Sequence, residues 1–107
     1  MKILLIDDHK LFAKSIQLLC QQYDEVDVID TITSNFNDVT IDLSKYDIIL
    51  LDINLTNISK ENGLEIAEEL IQSTPNLKVV MLTGYVKSIY EERAKTIVAY
   101  GFVDKNI

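Results

Sequence analysis

With a single cysteine, Cys20, the chain of 107 residues holds no internal disulfide and no cysteine metal site. Cys20 falls among apolar positions of a predicted helix, where it reads as a small buried hydrophobe rather than a reactive thiol. No apolar run approaches the roughly 18 residues of a membrane span. The opening stretch Met1-Lys2-Ile3-Leu4-Leu5-Ile6 turns acidic at Asp7-Asp8, too soon for a secretory signal. The expectation is a soluble, cytoplasmic protein. Basic charge is also scarce: 10 Lys and Arg stand against 17 Asp and Glu, a formal net charge of -7, with no dense basic run. The chain thus lacks the electrostatic footprint of a nucleic-acid binder, and any DNA contact must reside elsewhere. There is no repeat, no low-complexity tract and no Gly/Ser-rich linker, so 48% hydrophobic residues in this length make one core and one domain.

Three short apolar runs, Ile3 to Ile6, Ile48 to Leu51 and Val79 to Leu82, lack the alternation of a half-exposed strand and are predicted to be strands buried on both faces. Val26 to Ile32 and the short Phe102-Val103 add two more. Between them lie stripes at helical spacing: Phe12, Ile16, Leu19, Cys20 and Tyr23; Leu64, Ala67, Leu70 and Ile71; then Val86, Ile89, Tyr90, Ala94, Ile97 and Val98. Each stripe is read as core packing. Asn35 to Ser44 is a weaker helix, interrupted by Thr40, Ile41 and two acidic residues. Pro75, Gly84 and Gly101 punctuate the boundaries. Strict alternation of strand and helix implies an open, doubly wound α/β domain, a five-stranded parallel sheet with helices on both faces.

In such a sheet ligands bind beyond the carboxyl ends of the strands, and the residues found there form a pattern. The first strand ends in Asp7-Asp8, the third in Asp52 and the fourth in Thr83, and Lys105 follows the fifth. Three carboxylates gathered in one cleft repel one another unless a hard cation joins them, which points to Mg²⁺. The ion would offset the charge of a phosphoryl group, letting one carboxylate act as nucleophile and form an acyl phosphate. The Thr83 hydroxyl and the Lys105 ammonium would hold its oxygens. Singly, the aspartates read as helix caps or loop acids, Thr83 as a turn residue and Lys105 as a surface lysine. It is their joint placement that is specific.

With these residues the whole chain resembles the receiver domain of two-component response regulators. The start Asp7-Asp8-His9-Lys10-Leu11-Phe12 is similar to the subgroup that carries helix-turn-helix output domains. The resemblance implies a flavodoxin-like strand order 2-1-3-4-5. It implies Asp52 as phosphoacceptor, Asp8 and Asp52 as side-chain Mg²⁺ ligands, Asp7 assisting through water, and Asn54 lending its backbone carbonyl. Thr83 and Phe102 become the switch pair: the threonine moves towards the phosphoryl group and the aromatic turns into the vacated space. Phenylalanine lacks the hydroxyl a tyrosine would hydrogen-bond, so that switch rests on packing. The implied partners are a sensor histidine kinase and an output domain or second copy, with no direct nucleic-acid or membrane binding. The only enzymatic activity implied is the domain's own phosphorylation and slow dephosphorylation. His9 is read as a helix-start residue rather than a proton carrier.

The chain departs from that pattern in three places. The loop from Ile53 to Gly63 is longer than usual and lacks an early proline, and Asn106 follows Lys105 in place of proline, making a cis bond there costly. The sequence also stops at Ile107, where receivers continue into a fifth helix. The expectation is a receiver spanning residues 1–107, without that helix or an output domain, whose open face meets a second copy, a swapped element or a partner, or else a fragment of a longer regulator. Two other functions compete. One is a phosphorylation-independent interaction module of the same fold, against which the intact site argues. The other is an aspartyl-nucleophile phosphatase, against which Asn54 argues by standing where such enzymes place a second aspartate.

Overall fold

Five strands, β1 (Lys2–Ile6), β2 (Val28–Ile32), β3 (Ile48–Asp52), β4 (Lys78–Thr83) and β5 (Gly101–Asp104), pair in parallel in the order β2-β1-β3-β4-β5. The structure is a computed structural model that describes residues 1–33, 42–53, 63–74, 76–83 and 100–104. Strand number and order are those the sequence and its resemblance imply. Helix α1 (Lys10–Cys20) joins β1 to β2, and α2 (Gly63–Ser73) leads from beyond β3 towards β4.

The two helices use opposite faces of the sheet because successive strand residues point to opposite sides. Leu4, Ile6, Ile49, Leu51, Val79 and Met81 form one buried cluster with Leu64, Ile66 and Ala67 of α2. Leu5 and Leu82 form the other with Ala13 of α1, flanked by Phe12, Ile16 and Leu50. Burying both faces is why β1 and β3 read as unbroken apolar runs. Right-handed crossovers that leave the sheet centre in opposite directions put their helices on opposite faces, which is the doubly wound plan.

Some boundaries differ from expectation. β2 starts at Val28 rather than Val26, because the Val26 N–H is spent in a turn on the Tyr23 carbonyl at 3.1 Å. The α1 stripe is narrower than its spacing suggested: Leu19 and Tyr23 are exposed, and the residue fully buried against the sheet is the small Ala13. Cys20 is only half-buried, and desolvation raises its thiol pKa. Most of the weak Asn35–Ser44 helix lies outside the described residues; its end enters a single 3-10 turn, Leu43–Lys45, in which Asp42 accepts the Ser44 N–H at 3.1 Å. The helix expected over Val86 to Val98 also lies outside them.

Candidate functional site

The chain steps from β1 out to β2 on one side and returns to β3 on the other, so the sheet opens a crevice between the carboxyl ends of β1 and β3. Ile6 is paired with Leu51 across these strands, and the next residue on each, Asp7 and Asp52, therefore emerges at the same level. Asp7 is 0% and Asp52 1% exposed, and the Asp8 side chain is 3% exposed. Burial this complete excludes the loop-acid reading for the set, since a carboxylate without a structural or chemical task stays in water.

Local hydrogen bonding fixes the first two. The Asp7 N–H donates to the Ile32 carbonyl at 3.1 Å, extending the β1–β2 ladder by one bond. Its Oδ1 accepts the His9 N–H at 2.8 Å, an Asx turn that swings the backbone out of the strand. The first helical bond follows at once, from the Ala13 N–H to the His9 carbonyl at 2.9 Å. Asp7 thus has the turn-forming task the plain reading allowed and is also part of the crevice. His9 stands at the helix start, as expected, and makes no side-chain cap there. Its ring does something the spacing did not disclose. Nδ1 lies 3.1 Å from Asp7 Oδ1, 3.4 Å from Asp8 Oδ1 and 3.7 Å from Asp52 Oδ2.

One oxygen from each aspartate and the His9 nitrogen all lie within 4.8 Å of one another. Two unit negative charges at that distance repel by about 3.5 kcal/mol at an effective dielectric constant of 20. The arrangement is therefore costly unless positive charge offsets it. Three hard, buried oxygen donors converging from two strand ends fit a divalent cation of the Mg²⁺ class. No helix among the described residues is long and apolar enough to cross a membrane.

The other predicted residues are located by backbone or not at all. Asp52 pairs with Leu82, so Thr83 ends β4 one residue beyond the neighbour of Asp52. Thr83 pairs in turn with Asp104, the last residue of β5 and the one before Lys105. Phe102 pairs with Met81 within that strand. Asn54 and Lys105 lie outside the described residues.

Sequence reasoning passed over Gly63. Its N–H donates to the Ile53 carbonyl at 2.7 Å, drawing the start of α2 against the end of β3. A Cβ at this position would overlap the Asp52 carbonyl oxygen and lie 2.7 Å from both the Asp52 carbonyl carbon and Ile53 Cα. Only glycine lets the backbone approach Asp52 this closely. The available signal was a glycine at the first position of an apolar-periodic helix, where a better helix former would otherwise be favoured.

The model of the response regulator receiver domain family matches residues 3–107. The transcriptional regulatory protein ComA of Bacillus subtilis is 31% identical over 107 residues, covering 97% of this chain and 49% of ComA. The chain thus spans about half the length of that relative. Among solved structures, the non-phosphorylated HemR receiver domain of Leptospira biflexa superposes with a TM-score of 0.83 at 19% identity, covering 99% of this chain and 82% of that one. The response regulator TrrA of Thermotoga maritima, solved in complex with Mg²⁺ and a beryllium fluoride, superposes at 0.72 with 25% identity, covering 97% and 85%. A buried carboxylate crevice at the switch point of a 2-1-3-4-5 sheet, together with a family match over almost its full length, makes this chain a member of the receiver-domain family of two-component response regulators.

Proposed function

We propose that the chain is a phosphorylation switch in which Asp52 accepts the phosphoryl group. The observation that carries this reading is the convergence of the buried Asp7 and Asp52 with the nearly covered side chain of Asp8, where the sheet changes direction. A carboxylate oxygen of Asp52 attacks the phosphorus of a phosphorylated donor; the new O–P bond forms as the donor's bond to phosphorus breaks, and the leaving group takes up a proton. Asp52 suits that task because it ends β3 with its backbone clamped: Asp52 lies in the β3–β4 ladder, the Ile53 N–H donates to the Leu82 carbonyl at 2.9 Å, and Gly63 closes against the next carbonyl.

Asp8 and Asp52, with the Asn54 carbonyl and Asp7 through water, are the groups assigned to hold Mg²⁺, which when bound would offset the charge gathered on the phosphoryl oxygens. Asp7 has a second duty, holding the β1–α1 turn through its bond to the His9 N–H. Thr83 and Lys105, at the ends of the next two strands, are assigned to the phosphoryl oxygens. Register supports this, since Thr83 pairs with the residue preceding Lys105. Phe102 shares that strand and is assigned the packing change that carries the signal to the surface. Receiver domains are signalling switches rather than metabolic enzymes. The phosphodonor inferred here is a sensor histidine kinase. The inferred output is control of transcription through a helix-turn-helix domain or through pairing with a second copy, in keeping with the name of ComA.

Intact mass after incubation with a small-molecule phosphodonor and Mg²⁺ tests this reading. One phosphoryl adduct is expected, absent from Asp52→Asn and absent after chelation. No adduct on protein shown to be folded would contradict it and favour a phosphorylation-independent module.

A further inference from the structure

We propose that His9 is a nitrogen ligand of the same crevice and tunes it towards a divalent transition metal, Mn²⁺ foremost, relative to Mg²⁺. This rests on the reading that the crevice binds a divalent cation at all. Carboxylate oxygens only accept hydrogen bonds, so a ring nitrogen facing three of them needs a positive centre or a hydrogen between. The contact of Nδ1 with Asp7 Oδ1 at 3.1 Å is a hydrogen bond in the tautomer that carries the hydrogen on Nδ1. Ligation of an ion in the crevice uses the tautomer with its hydrogen on Nε2, whose Nδ1 lone pair would be a donor to the metal. Access is no obstacle, as the side chain is 57% exposed.

The distances match this role. Donors bonded at about 2.0–2.2 Å to one ion lie roughly 2.8–3.1 Å apart when cis in octahedral geometry and roughly 3.3–3.6 Å apart in tetrahedral geometry. Nδ1 stands 3.1 and 3.4 Å from the Asp7 and Asp8 oxygens, inside these ranges, and 3.7 Å from Asp52 Oδ2, just beyond them. The ring is also held close in advance, because the His9 backbone N–H and its Nδ1 both meet Asp7 Oδ1. Imidazole suits transition metals while all-oxygen sets suit Mg²⁺, which in addition gives up water reluctantly. A mixed set of the Asp8 and Asp52 carboxylates and one imidazole shifts preference towards Mn²⁺, the transition ion that shares magnesium's tolerance of carboxylates.

The chain has one histidine, so the test can be made atom-specific. Untagged protein labelled with ¹⁵N-histidine is loaded with Mn²⁺ and measured by pulsed electron paramagnetic resonance. A histidine nitrogen coupling that changes with the isotope is expected. In His9→Ala that coupling disappears, Mn²⁺ affinity falls about tenfold or more, and Mg²⁺ affinity, measured by competition, changes less than about twofold. One Mn²⁺ bound in an Asp52-dependent way but without nitrogen coupling would overturn the role of His9 and leave the carboxylate site standing. No binding of either ion would overturn both. The wild-type spectrum decides the matter without relying on the variant's fold.

Discussion

Replacing Gly63 by alanine sets two effects of opposite sign against each other. Alanine in a helix is favoured over glycine by about 0.5–1 kcal/mol, so propensity alone predicts a more stable protein. The contact geometry predicts the reverse. Carbon atoms pack at about 3.5–4.0 Å, whereas the added Cβ would sit 2.7 Å from the Asp52 carbonyl carbon and Ile53 Cα and would overlap the Asp52 oxygen. The partners are backbone, locked in the β3–β4 ladder, and give way only by moving α2 or the end of β3 by roughly 0.8 Å or more. Overpacking of this kind costs about 1–3 kcal/mol. Net destabilisation of about 1–2 kcal/mol is expected, read by thermal denaturation as a fall of several degrees. The same displacement acts on the nucleophile: about 1 Å of misplacement can cost a factor of about 100, so phosphoryl uptake by Gly63→Ala should slow by tens-fold. Ser73→Ala, at the far end of α2, controls for helix propensity. A Gly63→Ala protein as stable as the parent and phosphorylated at the parent rate would refute the reasoning.

Asp52→Asn relieves repulsion within a group of carboxylates less than 4.8 Å apart; after discounting for relaxation and the nearby His9, it should raise metal-free stability by about 1–3 kcal/mol. Mg²⁺ should raise the melting temperature of the parent and leave that of the variant nearly unchanged, both readable by calorimetry. Asp27 accepts a hydrogen bond from the Met1 ammonium at 2.6 Å, which holds its carboxyl below the ordinary aspartate range. A pKa lowered by folding contributes stability that is present above the unfolded value and lost as pH falls through the folded one. Acetylating the N-terminus should return the Asp27 carboxyl resonance to its ordinary titration in ¹³C NMR. The Tyr46 hydroxyl donates to Asp30 Oδ2 at 2.6 Å, and that bond, with some burial, pushes its pKa up to about 12. This contribution is complete below the unfolded value of about 10 and fades as pH rises towards 12. Tyr46→Phe should remove that alkaline loss, and an ultraviolet titration should lose one tyrosine ionising at about 12.

The fold was legible because this sheet is buried on both faces: Ile3 to Ile6 and Ile48 to Leu51 are apolar without alternation, and parallel pairing is what such runs require. The edge strand was harder. β2 carries exposed Val28 and Asp30, and its start depends on a turn bond from Val26 that no periodicity encodes. Asp7, Asp8 and Asp52 could be found from sequence because strand ends are legible and parallel strands bring their carboxyl ends together. The inward ring of His9 and the close approach of Gly63 could not, since both depend on how tightly the β1–α1 and α2 turns fold back on the strand ends. Ala13 was missed for a related reason: the point of closest helix–sheet contact selects a small residue, which hydrophobic pattern reading underweights.

The central claim is that Asp52 itself carries the phosphoryl group. Borohydride reduces an aspartyl phosphate to homoserine while leaving an ordinary carboxylate intact, so reduction of the phosphorylated protein followed by peptide mass mapping reads out the acceptor. Homoserine at position 52 alone, dependent on Mg²⁺, is the predicted result. Homoserine at Asp7 or Asp8, or a phosphoryl adduct that yields none, would contradict the account.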